Sequence, residues 1–157
     1  GSLLRLYVKM ANILGLKMNE HEKALNLFCL VLHSNLKNNA NSKPFIELSA
    51  LEGEGDVLFD KCAHKCAIHR YTSIMKYIDE LEESDKTWKE KYEDRMNDTR
   101  VGIFCKIGCT YKFIERYELA LNNLGHGLEI KNQSQYDSYN DTMAACLFYE
   151  IGMVQLK

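Results

Sequence analysis

VGIFCKIGCTYKFIERYELALNNLGHGLEI, residues 101–130, decides the fold. Its apolar residues recur at the three- and four-residue intervals of a helix face on either side of a break at Glu115-Arg116. Phe104, Ile107, Gly108 and Tyr111 mark the first helix, and Ala120, Leu124 and Gly127 mark the second. Gly108 and Ala120 are both small, so their backbones can approach closely. Tyr111 and Tyr117 are expected to fill the wedge where the helices diverge. This is a helical hairpin, and the rest of the chain is read for copies of it.

A second copy lies at residues 45–82. Gly55 is followed twelve residues later by Ala67, as Gly108 is by Ala120. The sole proline, Pro44, suits the first turn of its first helix, where a missing N–H costs nothing. Gly53, one turn fragment before Gly55, has no packing reason visible in the sequence. A weaker copy lies at residues 3–37. Leu4, Tyr7, Val8, Ala11 and Leu14 make one face, and Ala24, Leu25, Phe28, Val31 and Leu32 face it after a break at Asn19-Glu20. Twelve residues before Ala24 stands Asn12, so either the helices sit further apart or the register slips by one onto Ala11. Ser84-Asp85 offers a cap for a long helix over 86–114 that carries Trp88, Tyr92 and Met96. Residues 34–44 and 132–138 read as polar loops, and residues 141–156 as a final helix in which Phe148, Ile151 and Gly152 repeat the aromatic, aliphatic, glycine trio.

Composition bounds the function. The chain has 157 residues, one domain's length, and a formal net charge of −2. No Lys/Arg block gives the footprint of a nucleic-acid binder, and no apolar run approaches the roughly 18 residues of a membrane span. Gly1-Ser2 reads as a cloning scar. The six cysteines, Cys29, Cys62, Cys66, Cys105, Cys109 and Cys146, follow the helical period rather than a disulfide framework. They point to reduced thiols in an intracellular, cytoplasmic setting. Cys62, Cys66 and His69 share one possible helical face beside His64, but one helix cannot close a zinc tetrahedron, so no metal is expected. No G-x-S-x-G, phosphate-binding glycine loop or H-E-x-x-H occurs, so neither an enzyme nor a cofactor is expected.

The aromatic at 104, Ile107-Gly108, Tyr111 and Ala120 together resemble the signature of the tetratricopeptide repeat. The small residues Asn12, Gly55, Gly108 and Gly152 are 43, 53 and 44 apart, longer than the usual repeat of about 34. The spacing is similar to that of kinesin light chains and of Leu-Gly-Asn-type polarity adaptors. The resemblance implies an all-α solenoid of helical hairpins, with repeats at 3–37, 45–82 and 86–131 and a terminal helix at 141–156. It implies a concave groove lined by the first helix of each pair: Lys9, Ile13 and Leu16; then Glu52, Gly53, Asp56 and Asp60; then Lys106, Cys109 and Lys112; then Tyr149 and Met153. The expected function is to hold a peptide or helix of a partner protein, of mixed charge, with no nucleic acid and no membrane involved. Glu52, Asp56 and Asp60 would form an acidic ridge, Lys106 and Lys112 a basic one, and Gly53 and Gly102 bare helix surface. The positions that clamp a terminal carboxylate in chaperone-binding members carry Lys9, Ile13, Gly53, Gly102 and Lys106 here, so that ligand is not expected. The alternatives are a self-associating homo-oligomer module using the open end of residues 141–156, and a zinc-dependent helical domain.

Overall fold

The computed structural model describes residues 3–34, 42–133 and 140–157, with side chains from 146 onward in the last stretch. Seven α-helices and no strand occur among the described residues: α1 Leu3–Asn12, α2 His21–Leu32, α3 Lys43–Asp60, α4 His64–Ser84, α5 Lys86–Phe113, α6 Tyr117–Gln133 and α7 Asn140–Gln155. The all-α fold expected from the periodicity is the fold observed. A π-helical turn, Ile13–Lys17, follows α1 directly. The loops expected at 34–44 and 132–138 fall largely on 35–41 and 134–139, outside the described residues.

Three breaks between helices are built alike. Asn19, Cys62 and Glu115 each adopt a left-handed backbone conformation, with φ of 54°, 64° and 60°. At the second break the Ala63 N–H donates to the Leu58 carbonyl at 2.8 Å, and at the third the Arg116 N–H donates to the Tyr111 carbonyl at 2.9 Å. Both span five residues, the signature of a helix C-terminus closed by a left-handed residue. At the first break the Glu20 N–H reaches back six residues to the Leu14 carbonyl, at 2.8 Å, because the π turn adds one residue. Four residues after each donor comes a fully buried alanine: Ala24, Ala67 and Ala120. The extra residue accounts for Asn12 standing where a small residue is expected. The small residue set against Ala24 is Gly15, where an added Cβ would lie 3.1 Å from the Ala24 Cβ, and Ala11 is fully buried in the same core.

The chain divides after Ile74 into two compact units, and the division falls within α4. In the first, α1, α2 and α3 enclose Leu4, Val8, Ala11, Ala24, Phe28, Val31, Ile46, Ala50 and Val57. Gly53 is buried here. A Cβ on it would lie 2.5 Å from Cζ of Phe28 and 2.8 Å from Oδ1 of Asn12, so the rigid Phe28 ring requires glycine. Gly55 likewise faces the ring of Tyr71, 2.5 Å from an added Cβ. A His21–Asp60 hydrogen bond, at 2.8 Å, and the Lys61–Glu22 ion pair join the start of α2 to the end of α3.

In the second unit α5, α6 and α7 enclose Val101, Ala120, Leu124, Leu147 and Val154. A Cβ on Gly108 would lie 2.6 Å from Cγ of Leu124 and 3.2 Å from the Ala120 carbonyl. Asp85 caps α5 by accepting from the Trp88 N–H at 3.0 Å, as Ser84-Asp85 led one to expect. Arg100 of α5 grips Glu82 of α4 with both terminal nitrogens, at 3.0 and 2.8 Å, and Asp79 at 2.9 Å. Arg100 and Glu82 are both largely buried.

The packing predicts opposite outcomes at two glycines of α5. Gly108→Leu should cost about 1–3 kcal/mol by overpacking. An added Cβ at Gly102 meets nothing within 4 Å, so Gly102→Ala should gain up to about 1 kcal/mol of helix propensity. Thermal melts check both, at ~2–4 °C per kcal/mol for a chain of this size. Arg100→Met strands the Glu82 carboxylate and should cost about 3 kcal/mol in a urea titration, most of it recovered when Glu82→Leu is added.

Candidate functional site

The expected groove residues fall in both units, and each set is described within its own. In the first, Lys9 is exposed, and Ile13 and Leu16 are 48% and 44% exposed despite their size. The acidic ridge is altered by what its members touch. Asp56 accepts the hydroxyl of the buried Tyr71 at 2.6 Å, and Asp60 is paired with His21. Glu52 is half-buried. Gly53 is no bare surface, because the Phe28 ring lies against it. Replacing Asp56 by lysine therefore removes the acceptor of the Tyr71 hydroxyl, so its effect would not be confined to a ligand. Sequence reading cannot find the Tyr71–Asp56 bond, since it links residues on two helices whose rotation is set by packing.

Beside this row, Glu54 and Arg70 pair side by side, Arg70 Nε at 2.8 Å and Nη2 at 3.2 Å from the two carboxylate oxygens. Burial raises the Glu54 carboxyl above its usual range, and the Arg70 charge opposes that rise in part.

In the second unit α5 supplies Lys106, Cys109 and Lys112, and α7 supplies Tyr149 and Met153. Lys112 and Glu150 form an ion pair that ties α5 to α7, and this contact raises the Lys112 ammonium above its usual range. The lysine charge expected for a ligand is thus matched inside the chain. Tyr149 is 64% exposed, Met153 is half-buried, and Gly102 is open surface as expected. The buried contacts of α7 come from Leu147 and Val154, not from the trio Phe148, Ile151 and Gly152. Phe148 is exposed, Ile151 is half-buried, and Gly152 faces open space. The trio therefore does not repeat its role in α5, because α7 turns a different face to its neighbour.

Cys105 and Cys109, one turn apart, are half-buried beside Glu150 and Lys112. The hydrogen bond from Cys109 holds the Cys105 thiol below its usual range. The same bond, with burial, pushes Cys109 well above its own.

The other cysteine cluster does not assemble. Cys62 occupies the left-handed turn position, which takes it off the helical progression that Cys66 and His69 share. His64 packs edge-on against Phe59, with ring centroids 5.2 Å apart. Among the described residues no group of three His, Cys, Asp or Glu side chains could hold a metal ion. Trp88 is half-buried and packs on Tyr92 at 5.1 Å. A cleft at the α4–α5 turn, absent from the sequence reading, is lined by Glu83, Lys86, Lys89, Glu90 and Glu93 with Asp79 and Glu82, the two acids that Arg100 holds. No helix among the described residues is long and apolar enough to cross a membrane.

Comparison of the chain with family models, with curated proteins and with solved structures found no match.

Cys109→Ala removes the donor that favours the Cys105 thiolate. The midpoint of Cys105 should then move to higher pH, and its alkylation at neutral pH should slow. Mass-resolved labelling by iodoacetamide over a pH series reads this directly. An unchanged profile would show that Cys109 does not set Cys105's ionisation.

Proposed function

We propose that the chain is a helical-repeat scaffold of the tetratricopeptide type that holds a peptide or helix of a partner protein and catalyses nothing. One observation carries the reading. Large apolar side chains stay exposed at the positions assigned to a ligand groove, Ile13 at 48%, Leu16 at 44% and Tyr149 at 64%. Half-exposed aliphatic and aromatic groups on each unit favour contact with a partner, where their burial gains about 25 cal/mol per Å². The three like-built breaks, each followed by a buried alanine, support the repeat.

The ligand keeps the mixed character expected, with its weight on apolar anchors. Asp56, Asp60 and Lys112 already have partners within the chain, so a ligand charge would compete with His21, Tyr71 or Glu150. Lys9 supplies register, in keeping with charge serving specificity more than affinity. Free thiols at all six cysteines accord with a cytoplasmic setting.

A second reading, self-assembly through α7, is favoured by Phe148 at 60% and Leu156 at 82% exposure. The experiment separates the two. Partners captured on the wild-type chain are identified by mass spectrometry and titrated against wild type, Ile13→Glu with Leu16→Glu, and Tyr149→Ala, with circular dichroism as the folding control. The expected result is at least a tenfold loss of affinity, about 1.4 kcal/mol, in each variant. Equal affinities overturn the groove reading. A concentration-dependent mass in sedimentation, abolished by Phe148→Glu, establishes assembly instead.

A further inference from the structure

Cys29 and His33 stand one turn apart where α2 ends, and both are exposed. Sγ of Cys29 lies 3.4 Å from Nδ1 of His33. A tetrahedral zinc ion holds a thiolate sulfur at about 2.3 Å and an imidazole nitrogen at about 2.0–2.1 Å, which sets those two atoms about 3.6 Å apart. The pair is thus already at chelate spacing. Nδ1–H of His33 also donates to the Cys29 carbonyl at 2.9 Å. Giving up that bond strands no acceptor, because the same carbonyl accepts the His33 backbone N–H at 3.0 Å. The ring proton then sits on Nε2, and the Nδ1 lone pair is free for a metal.

Two ligands leave a tetrahedron half filled. Among the described residues no third His, Cys, Asp or Glu joins them in one chain. Glu54 of α3, whose charge is felt at His33, is held by Arg70. The surface around the pair suits a second copy of the chain. Asn26, Cys29, Leu30 and His33 are all exposed and share one stripe of the helix. Leu30 is 50% exposed. From Ala24 to Ser34 the sequence holds no Asp, Glu, Lys or Arg. Two such stripes can therefore meet about a two-fold axis without setting fixed like charges together, as contact between identical patches requires.

We propose that Cys29 and His33 of two copies close one zinc site and so join the chains as a dimer. Each thiol loses its proton on binding and each imidazole binds neutral, so the two thiolates balance the charge of the ion. The closed site is neutral, which matches the uncharged stripe around it. All four positions are filled by protein, so the ion is a structural link with no open position for a substrate. The site uses none of the residues assigned to the groove and none of α7, and it stands or falls apart from both.

The test is sedimentation of the full chain in EDTA and in stoichiometric zinc, with a non-thiol reductant present. Zinc is expected to double the mass, EDTA to reverse this, and metal analysis to find one zinc per two chains. Cobalt in place of zinc should show the intense visible bands of a tetrahedral site and a thiolate-to-cobalt charge-transfer band. Cys29→Ala and His33→Ala, both at exposed positions, should each weaken the zinc-dependent dimer at least tenfold. Leu30→Arg should loosen it as well. Cys29→His keeps two ligands on the turn, so it should retain the dimer and lose the charge-transfer band, a result that misfolding or a packing role for Cys29 would not give. Cys66→Ser with His69→Ala, and Phe148→Glu, should leave the zinc-dependent dimer unchanged. The proposal is overturned if zinc leaves the chain monomeric or binds one ion per chain. It is also overturned if Cys29→Ala, His33→Ala or Leu30→Arg dimerises with zinc as wild type does, if Cys29→His does not, or if either control variant abolishes the effect.

Discussion

Two helices can lie close along their length only where neither has a side chain between the backbones. Everything else in this chain is arranged around that constraint. Ala24, Ala67 and Ala120 have no exposed surface, and each sits four residues past a donor that closes the preceding helix. The left-handed residues Asn19, Cys62 and Glu115 fix where the chain reverses, and so fix which turn of the second helix meets which turn of the first. Asparagine visits that conformation readily. Cysteine and glutamate do so at a cost of order 1–2 kcal/mol, which the packing that follows must offset. A close approach so placed makes the wider divergence of the two helices a matter of side-chain size, and large rings such as Phe28 and Tyr71 then occupy the space opposite glycines.

Charge is used mostly inside the chain. His21–Asp60, Lys61–Glu22, Glu54–Arg70, Arg100–Glu82 and Lys112–Glu150 each join two helices. The exposed pairs contribute little, commonly below about 1 kcal/mol. The more buried pairs matter chiefly through what happens when one partner is lost. Glu54 shows the sign of this. Its carboxyl titrates above its ordinary range, so the folded state holds that proton more tightly than the unfolded chain does. Stability from this group is therefore full below the ordinary carboxylate range and declines as pH rises through the folded value. The Arg70 pair limits that decline and does not reverse it.

Periodicity made the helices legible, because a buried face must recur with the helical turn whatever it packs against. It made the close contacts legible where a small residue faced an alanine at a fixed interval, as at Gly55 and Gly108. It did not reveal the π turn. One inserted residue leaves the apolar pattern nearly unchanged while setting Gly15 rather than position 12 against Ala24, and the six-residue hydrogen bond of Glu20 exposes it. Nor did it reveal contacts between distant residues. Asp56 reads as a surface acid until the Tyr71 hydroxyl is found on it. An aromatic, an aliphatic and a glycine in order do not say which face the final helix turns inward, and it is Leu147 and Val154 that pack against its neighbour.

Gly53 and Gly102 read alike in the sequence, as glycines inside long helices without a capping role, yet their environments are opposite. Gly53 is buried under the Phe28 ring, and Gly102 meets nothing. A missing side chain serves a close approach in one case and leaves helix backbone open in the other. The same ambiguity governs α1, where a helix with apolar residues on two sides looks, by composition, like a well-buried one. The exposure of Leu3, Leu6, Met10 and Ile13 resolves it: one side is the core of a folded unit, and the other is about half open to solvent.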